Sequence, residues 1–137
     1  MNGTAPLVRL GDTELTLAER DEDVRGRDVL DPHDDKVGEV DDLIIDHVER
    51  RVRFLDVGAG GFLGLGKDKV LIPVDAVTSV ADTVHVDTER EHVAGSPAYD
   101  PDLVLDRTST ASFYDYYGYV PYWHMGYMNP GFPYRAP

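Results

Sequence analysis

The 137-residue sequence contains no cysteine. Disulfide staples, thiolate metal sites and cysteine nucleophiles are thereby excluded. Basic residues are scarce: 13 lysines and arginines stand against 26 acids, for a formal charge of −13. Neutralising phosphates takes clustered cations, so nucleic acid is excluded as an expected partner. No apolar run approaches the roughly 20 residues of a membrane span, and Met1 to Arg20 lacks the basic start and apolar stretch of a secretory leader. A cytoplasmic protein without a membrane span is the expectation. Charge is almost absent from one end. Residues 113–137 hold only Asp115 and Arg135, so the whole acidic excess sits on residues 1–112.

The length suits one compact domain with extensions. Between residues 24 and 86, short runs rich in Val, Leu and Ile alternate with turn chemistry. Val29-Leu30 is closed by Asp31-Pro32-His33-Asp34-Asp35. In Val37 to Asp46 the apolar positions 37, 40, 43 and 44 would also suit a helix face. Gly38, the β-branched residues and the lack of a cap favour a strand, with a bulge that shifts its inward phase. Val52 to Val57 reads as a strand pairing back on it, and Val77–Val80 with Thr83–Val86 reads as a second hairpin. Asp87 to Val93 predicts one short helix capped by Asp87 or Thr88. Residues 1–23 read as a flexible N-terminal arm, 24–101 as the folded domain and 102–137 as a low-complexity tail rich in Tyr, Pro and Gly.

Three stretches carry a family resemblance: Lys36-Val37-Gly38-Glu39-Val40 through Asp46, Gly60 to Gly66 with Val70-Leu71-Ile72-Pro73 through Val77, and Ala98-Tyr99-Asp100-Pro101. They resemble the PRC-barrel family, named for the cytoplasmic domain of the photosynthetic reaction centre H subunit. The resemblance implies an all-β fold, a small barrel of about six strands. It further implies an assembly and docking module without a common catalytic centre. Relatives occur in photosynthetic complexes, in a ribosome maturation factor and as stand-alone bacterial proteins. This chain lacks the membrane span of the first and the partner domain and basic patches of the second.

Candidate chemistry is sparse. The block Gly60, Gly61, Phe62, Leu63, Gly64, Leu65 and Gly66 is no phosphate loop, because Gly66-Lys67 is followed by Asp68 and leads into a strand. It reads as a structural turn with Phe62 and Leu63 tucked onto the barrel. Asp31, Asp34 and Asp35, and Glu39, Asp41, Asp42 and Asp46, match no calcium-loop spacing. His33, His47, His85, His92 and His124 show no close metal-ligand spacing. Ser79, Ser96 and Ser109 lack a nucleophile context. No catalytic, cofactor or metal site is therefore expected.

The tail concentrates seven of the eight tyrosines and the only tryptophan. Aromatic side chains bury much area at low entropy cost, so Tyr116, Tyr117, Tyr119, Tyr122 and Trp123 are the candidate contact residues. Association with a protein partner or between copies is the leading reading, with docking on the chain's own barrel as the rival. The barrel is expected to fold without the tail and to form a homo-oligomer. The sequence thus points to a non-enzymatic interaction module; the alternative is a barrel sensing Ca²⁺, another small ligand or pH.

Overall fold

The computed structural model describes residues 7–17, 22–58, 69–130 and 132. The glycine block and the flanking residues 59–68 lie outside them. Seven strands form one sheet: β1 (Val8–Arg9), β2 (Asp28–Leu30), β3 (Lys36–Ile45), β4 (Val52–Gly58), β5 (Lys69–Pro73), β6 (Val77–Val80) and β7 (Val84–Val86). Two helices follow, α1 (Arg90–Ala94) and α2 (Arg107–Tyr117). The strand order is β5-β4-β3-β2-β7-β6, with β1 added alongside β3. All pairs are antiparallel except β2 with β7.

The two ends of the sheet, β5 and β6, are separated in sequence only by the short helical turn Val74–Ala76. Three residues bridge about 10 Å at most, so the sheet must wrap to bring its ends together. Among the described residues no strand pairing joins those ends. The barrel expected from the sequence is therefore present as one wrapped sheet, and hydrogen-bonded closure is not seen. Inside it, Val29, Val40, Leu43, Leu55, Ile72 and Val84 belong to one buried cluster, joined by Val93 of α1 and by Phe132.

The predicted bulge in β3 is there. Val40 faces Val57 and Asp42 faces Asp56, leaving Asp41 as the extra residue. The same pair slips again where Ile44 faces Phe54 and Ile45 faces Val52, so that Arg53 is the extra residue of β4. A bulge flips the side-chain phase of a strand. Val52, Leu55 and Val57 consequently point into the inner cluster, whereas Phe54 joins a second cluster on the opposite face with Ile44 and Leu71.

That outer cluster corrects the reading of both chain ends. Val8 and Arg9 pair with Ile45 and Ile44, and Leu7 and Leu10 are buried. The reason is length: β2 covers only Lys36–Glu39 of the ten-residue β3, leaving its far edge open for β1. This part of the arm is integrated into the sheet. The tail is not uniformly irregular either. α2 is an eleven-residue helix capped by Asp106, whose carboxylate accepts the Ser109 N–H, and stopped by Gly118 at φ 81°. Thr110, Phe113 and Tyr114 form its buried side. Phe113 and Tyr114 lie over Phe54, with ring centroids 6.2 and 4.7 Å away.

The short helix α1 forms close to where it was expected, but neither Asp87 nor Thr88 caps it. Its N-cap residue is Glu89, which makes no side-chain cap bond. Asp31 takes the role from a distance: its fully buried carboxylate accepts N–H bonds from Arg90, His33 and Asp35. Burial raises the Asp31 carboxyl, and the three backbone donors outweigh it, holding the group below the usual carboxylate value.

The Tyr114 side chain is fully buried and its hydroxyl has no hydrogen-bond partner among the described residues. Burial drives its ionisation far above the ordinary phenol range. An unpaired buried hydroxyl costs free energy that its removal recovers. Tyr114→Phe should therefore melt at or above the parent, with a gain of about 1 kcal/mol in a denaturant titration. A loss of similar size would show that the hydroxyl is bonded.

Candidate interaction surface

Between β3 and β4 the chain turns through Asp46-His47-Val48-Glu49-Arg50. Asp46 accepts the N–H groups of Val48 and Glu49, both at 2.9 Å, and Arg50 takes φ 56°. The bulge aims Arg53 outward beneath this turn. Its Nη2 donates to Asp46 at 2.9 Å and to Glu49 at 2.5 Å, and its Nη1 donates to Asn129 at 2.8 Å. The guanidinium also sits 4.6 Å from the Tyr122 ring centroid. The side chain is 3% exposed, and its Nε has no partner among the described residues. Burial raises the Asp46 carboxyl; the backbone bond from Glu49, then Arg53 and the Val48 N–H, more than reverse this and hold it below the usual range. Arg53 is thus the hub that ties the β3–β4 turn to the C-terminal segment.

That segment leaves α2 through Gly118 and runs in successive turns, with His124 N–H bonded to the Pro121 carbonyl and Tyr127 N–H to the His124 carbonyl. Its aromatic residues, with Tyr116 and Tyr117 of the last turn of α2, face the chain's own body. Tyr116 stacks on His92 at 4.3 Å and donates to the His92 carbonyl at 2.6 Å. Tyr117 packs against the inner cluster, Tyr119 touches both clusters, and Tyr122 and Trp123 pack against the outer one. The Tyr119 hydroxyl donates to Asp87, and that of Tyr127 to Asp75 at 2.9 Å. Burial, before any charge nearby, raises both phenols far above their ordinary value. All five contact residues expected from composition are half-buried on the chain's own sheet and helices.

Beside the exposed His124 and Asn129, the segment turns large apolar side chains outward. Met125 is 95% exposed and Met128 85%, with Val120 also exposed and Val48 at the tip of the β3–β4 turn. Val120, His124, Met125 and Met128 line one shallow groove of about 380 Å³, with Tyr127 and Asp75 beside them. Gly126, at φ 82°, allows the reversal that brings the two methionines to one side. Composition gave no signal for these positions, because a methionine reads as core or surface only once its neighbours are placed.

On another face, the Asp31–Asp35 turn is clasped by two histidines. His33 Nε2 lies 2.8 Å from Glu89, and His85 Nε2 lies 3.0 Å from Asp34. Glu89, with Asp31 and Asp35 adding smaller contributions, raises the His33 pKa above its ordinary value. The resulting stabilisation is present in full below the unfolded value of about 6.5 and fades as pH rises through the folded one. An NMR titration of His33 should give a midpoint above 6.5 that falls back in Glu89→Gln. An unshifted midpoint in the parent would refute the pairing. Among the described residues no group of three or more His, Asp and Glu is placed to hold a metal ion.

The wrapped sheet and its two short histidine clasps define a β-rich domain with a helical and aromatic cover. The PRC-barrel domain family matches it over residues 18–93, more than half of the chain. The chain belongs to the PRC-barrel family. The match ends before α2, so the cover lies beyond the family domain. No curated protein matches the chain closely enough to be compared with it. No helix among the described residues is long and apolar enough to cross a membrane.

Proposed function

We propose that this protein is a non-enzymatic interaction module in which a PRC-barrel domain holds a structured C-terminal cover, and the cover presents the contact surface. The observation that carries the reading is the exposure of Met125 and Met128 on a segment whose aromatic neighbours are pinned to the sheet. Methionine is flexible and polarizable, and adapts to partner surfaces. The pinning lowers the ordering cost of association, because Tyr122, Trp123 and Tyr127 already fix the backbone. The five aromatic residues then act as the platform of the contact surface. Capture from the source cells with the full chain, beside Met125→Glu/Met128→Glu, tests this. A partner retained by the parent and lost by the folded variant supports it; equal capture by both removes this face from the role.

A second reading, pH sensing, draws on the His33–Glu89 and His85–Asp34 pairs at one turn. It requires a change of assembly or shape as His33 titrates, which sedimentation across pH 5 to 8 would register.

A further inference from the structure

We infer that the partner seated on the Val120, Met125 and Met128 face is a second copy of this chain, related by a twofold axis. The inference rests on the interaction-module reading and names its partner. Its ground is the distribution of charge. Residues 108–137 hold one acid and one base, so the formal charge of −13 falls entirely on residues 1–107. Two copies meeting through acidic faces repel, whereas this face carries almost no charge of its own. Of the groups lining its groove, only Asp75 and His124 can be charged, and the Asp75 carboxylate already accepts the Tyr127 hydroxyl. A basic partner would gain most on the acidic remainder, since the acids within reach here are only Asp75 and, behind Tyr119, Asp87. The complement of a neutral aliphatic surface is another neutral aliphatic surface, and an isologous contact supplies it while holding the two acidic bodies apart. The methionines of each copy lie in or beside the other's groove, where their flexible side chains fit an irregular surface.

This arrangement has an ionic-strength signature opposite to that of a charge-paired interface. Salt screens the repulsion between the acidic bodies and leaves the apolar contact in place, so dimerisation should tighten as salt rises. Sedimentation of the full chain over a wide concentration range, at low and at physiological salt, is the test. Expected is a monomer–dimer equilibrium whose dissociation constant falls with salt. Met125→Glu/Met128→Glu should raise that constant at least about tenfold, because two copies then bury like charges together. Met125→Lys/Met128→Lys lowers the net negative charge but should also weaken the dimer, since charge enters the apolar contact. At concentrations where the parent is monomeric both variants should retain its melting midpoint, as the two side chains are then almost wholly in water. A chain that stays monomeric throughout, a dimer that weakens with salt, or a dimer indifferent to both variants overturns the inference. If the chain is monomeric yet captures a partner that Met125→Glu/Met128→Glu loses, the second copy is wrong and the interaction-module reading stands. If that partner is absent too, both fall.

Discussion

A chain ending at Pro101 is expected to melt about 10 °C or more below the full chain and to bind hydrophobic dyes in its folded state. The truncation removes Leu105, Phe113, Tyr114, Tyr122 and Trp123, which together roof the outer face of the sheet. Ile44, Phe54 and Leu71, none of them exposed in the intact protein, would then face water. Each such side chain contributes about 2 kcal/mol when buried, so a loss of a few kcal/mol is the expected scale. It also strips the backbone bond from the Leu7 N–H to the Leu105 carbonyl, freeing β1 at its start. Differential scanning calorimetry of both chains measures the outcome. A truncated chain melting within a degree or two of the parent would show that the barrel is independent of its cover, as composition alone suggests.

The sequence pattern suggests that independence because the strands announce themselves. β-branched runs at Val37–Ile45 and Val70–Ile72, and the hairpin of β6 and β7, follow from pattern, and the phase shift in β3 was legible from Gly38 and the spacing of its apolar residues. The second slip was harder to see. In Val52-Arg53-Phe54-Leu55 no local feature says that Arg53 is the extra residue, since a bulge is a property of two strands and depends on where β3 ends. Without it, alternation from the inward Leu55 would turn Arg53 inside and Val52 outside, while Phe54 stays on the outer face with Ile44. The signals for α2 were present: Asp106 ahead of Ser109, Gly118 as a stop, and Thr110, Phe113, Tyr114 and Tyr117 at helical spacing. The density of tyrosine, glycine and proline that follows obscured them. Aromatic residues mark a binding surface only when they are outside, and here Phe54 and its neighbours draw them in. The exposed methionines could not be found from sequence because their exposure is what remains after the rings have packed.

Arg53→Ala is the point substitution expected to cost most, about 3 kcal/mol or more, because it leaves two carboxylates without the cation that holds them. Asp46 keeps its bonds from the Val48 and Glu49 N–H groups, which places the cost near the lower end of the range for a broken buried pair. Arg53→Met retains the stem packing over Tyr122 and should cost less than Arg53→Ala. Arg53→Lys should resemble the methionine variant more than the parent, since a single ammonium cannot reproduce the fork that reaches Asp46, Glu49 and Asn129 together. The pH dependence separates this electrostatic account from lost packing alone. In the parent the Asp46 carboxyl lies below its ordinary value, so its stabilising contribution is present above the unfolded pKa of about 3.9 and disappears as pH falls through the folded value. Without Arg53 the folded pKa rises toward the unfolded one, and that contribution shrinks. Stability of the parent should therefore fall more steeply between pH 5 and pH 2 than that of Arg53→Met, bringing the two closer in acid. Urea titrations of both proteins across that range test it, and a gap that stays constant with pH would show that Arg53 acts through its packing and not through Asp46.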